Sequence, residues 1–332
     1  VSLSSSRIRA NIVTGAGPSW FALLGSGLGG ALMVTNGTIS ITQTHFSENA
    51  AMGGGSLTAP FKNGPTGSAY GGAAYFDHCT ATISRSEFLT NRSMAGQFVG
   101  PDALGVSEGG AIFNAGVLRV TDTFIAGNSS SGPFNKGPGG DAEGGGIFNT
   151  ASLTINNSTI SGNEATGGAG GENHNVSSPG GNSSGGGIYS LGDFQGTNCT
   201  IALNRAIGGF GGGAFSPSLD KGPGGYGKGG GIFNNGNMIL DHFTVAQNSS
   251  EGGGPFSGAG ALPGLALGGG IFTTNGSAAL QNTILAGSSS GSNDFGVLID
   301  NGNNLSSDSS CQFNAAGSMN NTGSRLSPLV HE

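Results

Sequence analysis

The chain has 332 residues, a formal net charge of −7, and charged side chains at only 9% of its positions. It has no basic run, which argues against nucleic acid and anionic membranes as partners, and no apolar stretch near the roughly eighteen residues of a membrane span. Glycine is extreme at 69 residues, while three cysteines are too few for a disulfide scaffold.

A repeated unit dominates the sequence from its first residue to Gly287. Segment 1–11 matches the apolar positions of segment 153–163, so the sequence opens inside a partial unit. Complete units begin near residues 29, 71, 109, 145, 186, 230 and 269. Each runs from a glycine pair to a closing asparagine and is followed by a segment of variable length, rich in Gly, Pro and Ser. A constant unit with variable insertions is typical of a solenoid.

Three short apolar pieces lie in each unit, as in Ile147-Phe148, Leu153-x-Ile155 and Ile160. Period-two alternation favours strands, and such short strands can pair only with their equivalents in the next unit, in parallel. The pattern predicts an all-β fold, a right-handed parallel β-helix of about seven to eight rungs with three short strands each and insertions on one side. Residues 1–287 form the repeats, and residues 288–332 are expected to continue the solenoid irregularly as a tail or cap.

Two neighbouring columns of side chains follow each glycine pair. Adjacent strand residues face opposite ways, so only one of these columns can face the core. We predict that the aliphatic column faces inward: Ile112, Ile147, Ile188, Ile232 and Ile271. The aromatic column should then lie outside, covered by the insertions: Phe113, Phe148, Tyr189, Phe233 and Phe272.

The asparagines that close the units form another column: Asn49, Asn91, Asn128, Asn163, Asn204 and Asn248. Each should sit at a bend, where its amide can bond backbone groups or the next asparagine. The seventh unit has Gly287 in this place, and its third apolar piece is predicted at Ile284. A threonine column, Thr159, Thr200, Thr244 and Thr283, suggests an ordinary outward β-face, with an ice-binding face as the minor alternative.

Twelve Asn-X-Ser/Thr sequons are present. In a chain this rich in Asn, Ser and Thr, chance explains any one of them as well as glycosylation does. We regard six as candidate glycosylation sites: Asn36, Asn156, Asn175, Asn182, Asn198 and Asn275.

The glycine pairs and closing asparagines also carry a family resemblance. Gly29-Gly30-Ala31-Leu32 and Phe46-Ser-Glu-Asn49 resemble the GGA[ILV] and FxxN repeat of polymorphic outer membrane proteins, surface passengers of the autotransporter class. The GGGI[FY] variant and the tail from Asn282 look like bacterial secreted β-helix proteins of the choice-of-anchor type. The resemblance implies the fold and a surface or secreted location. Such tails often have a paired cysteine where Asp294 stands here, which leaves Cys311 without an obvious partner.

Chemistry-bearing residues are sparse. Asp77, Asp122 and Asp241 are predicted to recur at the bend after the second strand, and Asp241-His242 is more simply a bend than a catalytic pair. Lys136-Gly-Pro-Gly-Gly140 and Lys221-Gly-Pro-Gly-Gly225 lack the helix of a phosphate loop and are expected to stack on each other. Cys79 and Cys199 should be about 14 Å apart, beyond disulfide reach. We therefore predict no catalytic, metal or cofactor residues.

These observations favour a non-catalytic structural or adhesive protein outside the cell or on its surface. An uncapped β-helix end exposes strand edges, so end-to-end self-association into a filament is one expectation. A cropped segment of one longer passenger also explains the partial first unit, and on general grounds it is slightly favoured over the filament. A carbohydrate or cell-surface ligand fits the adhesive role. The rival hypothesis is a polysaccharide-binding or polysaccharide-cleaving enzyme, which acidic residues converging on one face with a basic residue in reach would favour.

Overall fold

The computed structural model describes residues 1–17, 24–55, 66–97, 105–171, 178–213, 222–255, 261–327 and 329. They form a parallel β-helix, in which each strand pairs with its equivalent in the neighbouring turns. The strands build three stacks that run along the solenoid, which we call the wide, second and third sheets. Within the described ranges, no helix is long and apolar enough to cross a membrane.

The wide sheet has 21 strands and carries most of the core. Its strands are Ser2–Ser4, Arg7–Arg9, Leu32–Thr42, His45–Ser47, Ala74–Ser84, Glu87–Leu89, Ile112–Thr121, Phe124–Ala126, Ile147–Asn149, Ser152–Asn156, Thr159–Ser161, Ile188–Ser190, Asp193–Ala202, Ile232–Asn234, Asn237–Ala246, Ile271–Thr273, Ser277–Gln281, Ile284–Ala286, Asp294–Phe295, Ile299–Asp300 and Leu305–Ser306.

The second and third sheets have seven strands each. The second sheet contains Ile12–Thr14, Ala50–Met52, Arg92–Met94, Ser129–Ser131, Glu164–Thr166, Arg205–Ile207 and Ser249–Glu251. The third contains Gly27–Leu28, Ala69–Tyr70, Ser107–Glu108, Ala142–Glu143, Ser183–Ser184, Gly227–Lys228 and Ala266–Leu267. Seven stacked strands span six intervals, so the solenoid completes about six turns before an irregular seventh, slightly fewer than the predicted seven to eight.

A typical turn has five short strands, two more than predicted. The additional strands, such as Glu164–Thr166 and Ala142–Glu143, belong to the second and third sheets. Their inward residues, Ala165 and Ala142, are fully buried but small. Such strands lack the large alternating apolar residues by which a strand is recognised in a sequence.

The aliphatic column faces the core, as predicted. Its five isoleucines are fully buried and lie in register from turn to turn. The seventh turn departs from the predicted register, because three residues separate Thr273 from Ser277 where two separate Asn234 from Asn237. Leu285, and not Ile284, therefore pairs with Val245.

We expect Ile188→Ala to lower the free energy of unfolding by about 2–5 kcal/mol, because the shortened side chain leaves a cavity between two stacked isoleucines. The denaturant midpoint measures this change. Ile239→Ala is a suitable control, since Ile239 points outward and is 55% exposed. Equal midpoints for the two variants would contradict the assignment of the inward face.

The glycine-rich insertions pack against one another along one side of the solenoid, as predicted for 164–184, 205–228 and 249–267. Each insertion has an outgoing and a returning arm, and the arms of successive turns alternate in one stack of backbone hydrogen bonds. The N–H of each member donates to the carbonyl of the one before it, at 2.8–3.0 Å. The members of this glycine stack are Pro133, Gly140, Gly168, Gly181, Gly209, Gly225, Gly253 and Gly264. The loop tips 172–177, 214–221 and 256–260 lie outside the described residues.

The two Lys-Gly-Pro-Gly-Gly loops do not stack directly on each other, contrary to our prediction. The Pro179-Gly180-Gly181 segment of the intervening turn lies between them. Gly139 N–H donates to the Pro179 carbonyl and Gly180 N–H donates to the Pro223 carbonyl, both at 2.9 Å. The shared sequence is therefore part of a three-turn stack, whose Lys221 lies outside the described residues.

The segment after Gly287 continues the wide sheet for one irregular turn. Asp294 pairs with Ile271, so a carboxyl group occupies the inward aliphatic column. Beyond it, Cys311 and Phe313 are buried in the main core. The Asp300 carboxylate accepts hydrogen bonds from the backbone N–H groups of Asn314 and Ala315, which ties the last described loop to the solenoid end.

Candidate functional site

The closing asparagines form a ladder that runs from the exposed Asn11 to Asn248 and is buried from Asn49 onward. Each Nδ2 donates one hydrogen bond to the Oδ1 of the next asparagine, at 2.9–3.0 Å. From Asn49 onward, each Nδ2 donates its other hydrogen to a backbone carbonyl in the third apolar piece of the preceding unit, at 2.8–3.1 Å. Asn163, for example, donates to the Ile125 carbonyl. The six predicted members are all fully buried. In the seventh turn the register places Ser288, and not Gly287, opposite Asn248.

A second buried polar ladder was not anticipated from the sequence. The Asn114 Nδ2 donates to the Asn149 Oδ1 at 2.7 Å, and the Asn149 Nδ2 donates to the Ser190 Oγ at 3.0 Å. Asn234 continues the column and donates to the carbonyls of Gly236 and Ser277. The signal was present in the Asn or Ser that follows the Ile-aromatic pair in GGAIFN, GGGIFN and GGGIYS.

The aromatic column lies outside the main core and forms a cluster of its own. Its five rings are only 3–9% exposed, and consecutive centroids are 4.5–5.3 Å apart in parallel planes. Among the described insertion residues, Tyr70 and Leu267 pack against the aromatic cluster and Glu143 shares a hydrogen bond with Tyr189. Each is the last residue of its insertion, directly before a left-handed glycine. The residues at this position, which we call the cover column, are Leu28, Tyr70, Glu108, Glu143, Ser184, Lys228 and Leu267.

Two carboxyl groups occupy adjacent positions of the cover column, Glu108 and Glu143. Burial, reinforced by the charge of Glu143, raises the pKa of Glu108 to about 8. Burial and the charge of Asp141 raise the pKa of Glu143 to about 7, although the Tyr189 hydroxyl donates a hydrogen bond to it. Lys228 lies two positions further along the column. Glu108 and Glu143, which we call the acidic pair, are the nearest approach to an acid–base site in the described chain.

Sequence reasoning missed both glutamates because it treated the residue before each glycine pair as part of a variable insertion. The signal was their common place in SEGGAI and AEGGGI. The three aspartates that were singled out do not form one column. Asp77 lies in the first half of the strand Ala74–Ser84, well before the bend, and pairs with Ala115. Asp241 lies one residue before the bend position, which His242 occupies as Asp122 does in its own turn.

The histidines beside these aspartates form local pairs. Nδ1 of His78 is 2.6 Å from Asp77, and Nδ1 of His242 is 2.8 Å from Asp241, with both imidazoles largely exposed. Each pair joins neighbours in the chain, and the described residues contain no group of three His, Cys, Asp or Glu side chains that could hold a metal ion. The arrangement offers no oriented nucleophile and base.

The threonine column is shorter than predicted. Thr159, Thr200 and Thr244 lie in register, but they are preceded by Phe124 and followed by Ile284. Thr283 is fully buried and points inward, because of the longer turn before Ser277. Three threonines flanked by large apolar residues make an ordinary outward β-face.

The sequons differ in accessibility. Asn36, Asn198 and Asn275 are exposed, Asn156 and Asn182 are half-buried, and Asn175 lies outside the described residues. Three other sequons fall on fully buried members of the asparagine ladder, namely Asn91, Asn128 and Asn248. Their amide groups are occupied by the ladder, so a sugar could be attached there only before folding.

The three cysteines are free thiols buried in the main core. Cys79 and Cys199 are not bonded to each other, as expected from their separation along the solenoid. Burial raises the pKa of all three thiols, to about 11 for Cys199 and about 12 for Cys311. Thiolates are the reactive form, so these cysteines are structural.

We expect the free energy of unfolding to decrease as the pH rises from about 5 to about 9. Glu108 and Glu143 have higher pKa values in the folded chain than the ordinary 4.5, so the folded state binds more protons across this window. Replacing both by Gln should remove roughly 2–4 kcal/mol of the decrease, given their partial exposure. Denaturant midpoints measured across this pH range test the expectation.

The pH test has a control in Asp193→Asn, which removes one exposed carboxylate and should leave the slope intact. Asp294, whose pKa burial raises to about 7, should retain part of the decrease in the double variant. An unchanged pH slope in the Glu108→Gln, Glu143→Gln protein would mean that the two groups are ionised throughout.

Comparison with protein-family models, with curated proteins and with solved structures gives no match to this chain. The resemblance to polymorphic outer membrane and choice-of-anchor proteins therefore rests on the short motifs alone. Any functional assignment has to be argued from the geometry of the solenoid.

Proposed function

We propose that this chain is a non-catalytic structural or adhesive element of the cell exterior, a rigid rod of stacked turns. The observation that carries the proposal is the unbroken asparagine ladder from Asn11 to Asn248. From Asn49 onward, every rung satisfies buried donors and acceptors of the neighbouring turns, so none of these turns can open without leaving polar groups unpaired in the core. The glycine stack adds a second constraint, because its backbone hydrogen bonds join the insertions of successive turns.

The outer surface supports a location outside the cell. With only 9% charged residues, solubility depends on Ser, Thr, Asn and Gly, or on attached sugar. The exposed sequons at Asn36, Asn198 and Asn275 offer places for glycans on three different turns. Intact-mass measurement of material from the native source, before and after deglycosylation, and antibody labelling of intact source cells test the exterior location.

Rigidity is tested by proteolysis of the purified chain under native conditions. We expect cleavage only in the insertions, with the repeats surviving for hours at protease concentrations that digest an ordinary globular domain. Electron microscopy of the same material should show short rods. Rapid cleavage within the wide-sheet strands would overturn the proposal.

End-to-end self-association belongs to this proposal. In the first turn the edge strand Ile12–Thr14 pairs only with Ala50–Met52 within the described chain, and Ile12 is 59% exposed. A second copy would satisfy this edge and cover its apolar residues. Sedimentation over a range of concentrations should show association that Ile12→Lys weakens, whereas a single species at all concentrations would exclude it.

A second candidate function is acid–base chemistry on a polysaccharide, and the acidic pair is what favours it. Glu108 and Glu143 have raised pKa values, as a proton-donating carboxyl group requires, and Lys228 is in the same column. Release of reducing ends or unsaturated sugars from polysaccharides, lost in Glu143→Gln, would establish it. A chain without such activity that resists proteolysis supports the structural role.

A further inference from the structure

A surface cleft of about 490 Å³ lies on the wide sheet and extends over three consecutive turns. It opens beside the bend that precedes the strands Glu87–Leu89, Phe124–Ala126 and Thr159–Ser161. Two columns of side chains line it. The bend column contributes Arg85, Asp122 and Asn157, and the outward strand column contributes Glu87, Phe124 and Thr159. Ser86 and Thr123, both buried, complete the lining.

The bend fixes the direction of the first column. Arg85, Asp122 and Asn157 have φ values of 46–48°, in the left-handed region, and all three are exposed. Their own backbone N–H groups remain bonded within the stack, as in Arg85 to Thr121 and Asp122 to Asn156. The side chains are therefore held at regular intervals of about 4.8 Å along the solenoid axis.

The lining has an unusual mixture of chemistry for a small surface region. It offers a guanidinium group that only donates hydrogen bonds, two carboxylates that only accept, and an amide and a hydroxyl that do both. The half-buried Phe124 ring adds apolar contact. Two carboxylates make the cleft unsuitable for phosphate or sulfate groups, whereas vicinal hydroxyls, each both donor and acceptor, match this set.

A second cleft, of about 280 Å³, lies towards the N-terminal turns and has no lining residue in common with the first. Arg7 and His45 line it, and they stand in the same outward column as Glu87, Phe124 and Thr159. Nδ1 of His45 is 2.7 Å from the Glu87 carboxylate, which joins the two clefts into one polar strip. The strip crosses five turns, so its natural occupant is a chain and not a single small molecule.

We propose that this strip is a carbohydrate-binding site, which holds a neutral polysaccharide chain parallel to the solenoid axis. The spacing of about 4.8 Å between turns is close to the length of one pyranose residue, so successive sugars meet successive rungs. Asp122, Asn157 and Arg85 bond the hydroxyl groups, while the Phe124 ring contacts the C–H face of one sugar. The proposal supplies the ligand class for the adhesive role above and rests on that role, but it is separable from the rod's rigidity.

Binding is measured with the whole purified chain against soluble cellohexaose, chitohexaose, mannohexaose and dextran by calorimetry. The test variant is Arg85→Asn combined with Asp122→Asn, because asparagine tolerates the left-handed bend. The control is His242→Asn, at the same bend position three turns beyond Asp122. We expect the wild-type chain and the control to bind at least one of these glycans equally, and the double variant to bind at least tenfold more weakly.

Thermal midpoints of all three proteins should agree, which shows that the substitutions leave the fold intact. If the wild-type chain binds none of the four glycans, or if the double variant binds as tightly as the control, the proposal is overturned. Resistance to proteolysis is recorded on the same samples. Rapid digestion of the wild-type chain would contradict the structural role. A wild-type chain that resists digestion but binds no glycan would refute the carbohydrate site alone.

Discussion

Replacing Gly225 by alanine should destabilise the protein by about 3 kcal/mol or more, although only one methyl group is added. Gly225 lies in the middle of the glycine stack, where its N–H donates to the Gly209 carbonyl at 2.9 Å. A Cβ atom at this position would overlap the backbone carbonyl of Gly181. A carbonyl group held in a hydrogen-bonded stack cannot move aside without breaking the bonds on both of its sides.

The denaturant midpoint and the rate of proteolysis within the insertions both report this change. Gly323→Ala serves as the control, because a Cβ atom there would meet no heavy atom within 4 Å. It should change the free energy of unfolding by less than about 0.5 kcal/mol. If Gly225→Ala and Gly323→Ala have the same midpoint and the same cleavage rate, the insertions are not packed as described.

The repeats were predictable because their strands carry large apolar residues at fixed distances from a glycine pair. Leu153, Ile155 and Ile160 alternate with polar residues, and this periodicity indicates which residues of these strands face inward. The asparagine ladder was predictable for the same reason, since Asn163 follows Ile160 at a constant interval. Because equivalent residues are equally spaced within each unit, they pair with one another from turn to turn.

Other features could not be read from the sequence in this way. The strand Glu164–Thr166 directs only Ala165 inward, and a single buried alanine carries no periodic signal. The acidic pair consists of two residues that are neighbours only because the third sheet brings Glu108 beside Glu143, 35 residues later. In the seventh turn, one additional residue before Ser277 shifted Leu285 into the column that Ile284 was expected to fill.

We expect Asn163→Ala to cost about 3–5 kcal/mol, because the change leaves several buried groups without partners. The Asn163 Oδ1 accepts hydrogen bonds from the backbone N–H and the Nδ2 of Asn128, at 3.0 and 2.9 Å. Its Nδ2 donates to the Ile125 carbonyl and to the Asn204 Oδ1, both at 2.9 Å. The site is fully buried, so water does not replace the missing partners.

Denaturant midpoints compare this variant with Asn275→Ala, in which an exposed asparagine is truncated and the change should be within about 0.5 kcal/mol. A loss below about 1 kcal/mol in Asn163→Ala would show that the ladder is not a continuous buried network.

Asn163→Asp separates the donor role of the side chain from its acceptor role. The carboxyl group retains an acceptor for Asn128, but an ionised one would place a second oxygen against the Ile125 carbonyl and the Asn204 Oδ1. Burial and these two acceptors should raise the pKa of the introduced carboxyl group, since only its protonated form can donate. The variant should therefore be more stable at about pH 4 than at about pH 8, with its stability falling as the pH rises through the folded-state pKa. A pH profile parallel to that of Asn163→Ala would mean that the introduced group is solvated, and that the ladder opens at this rung.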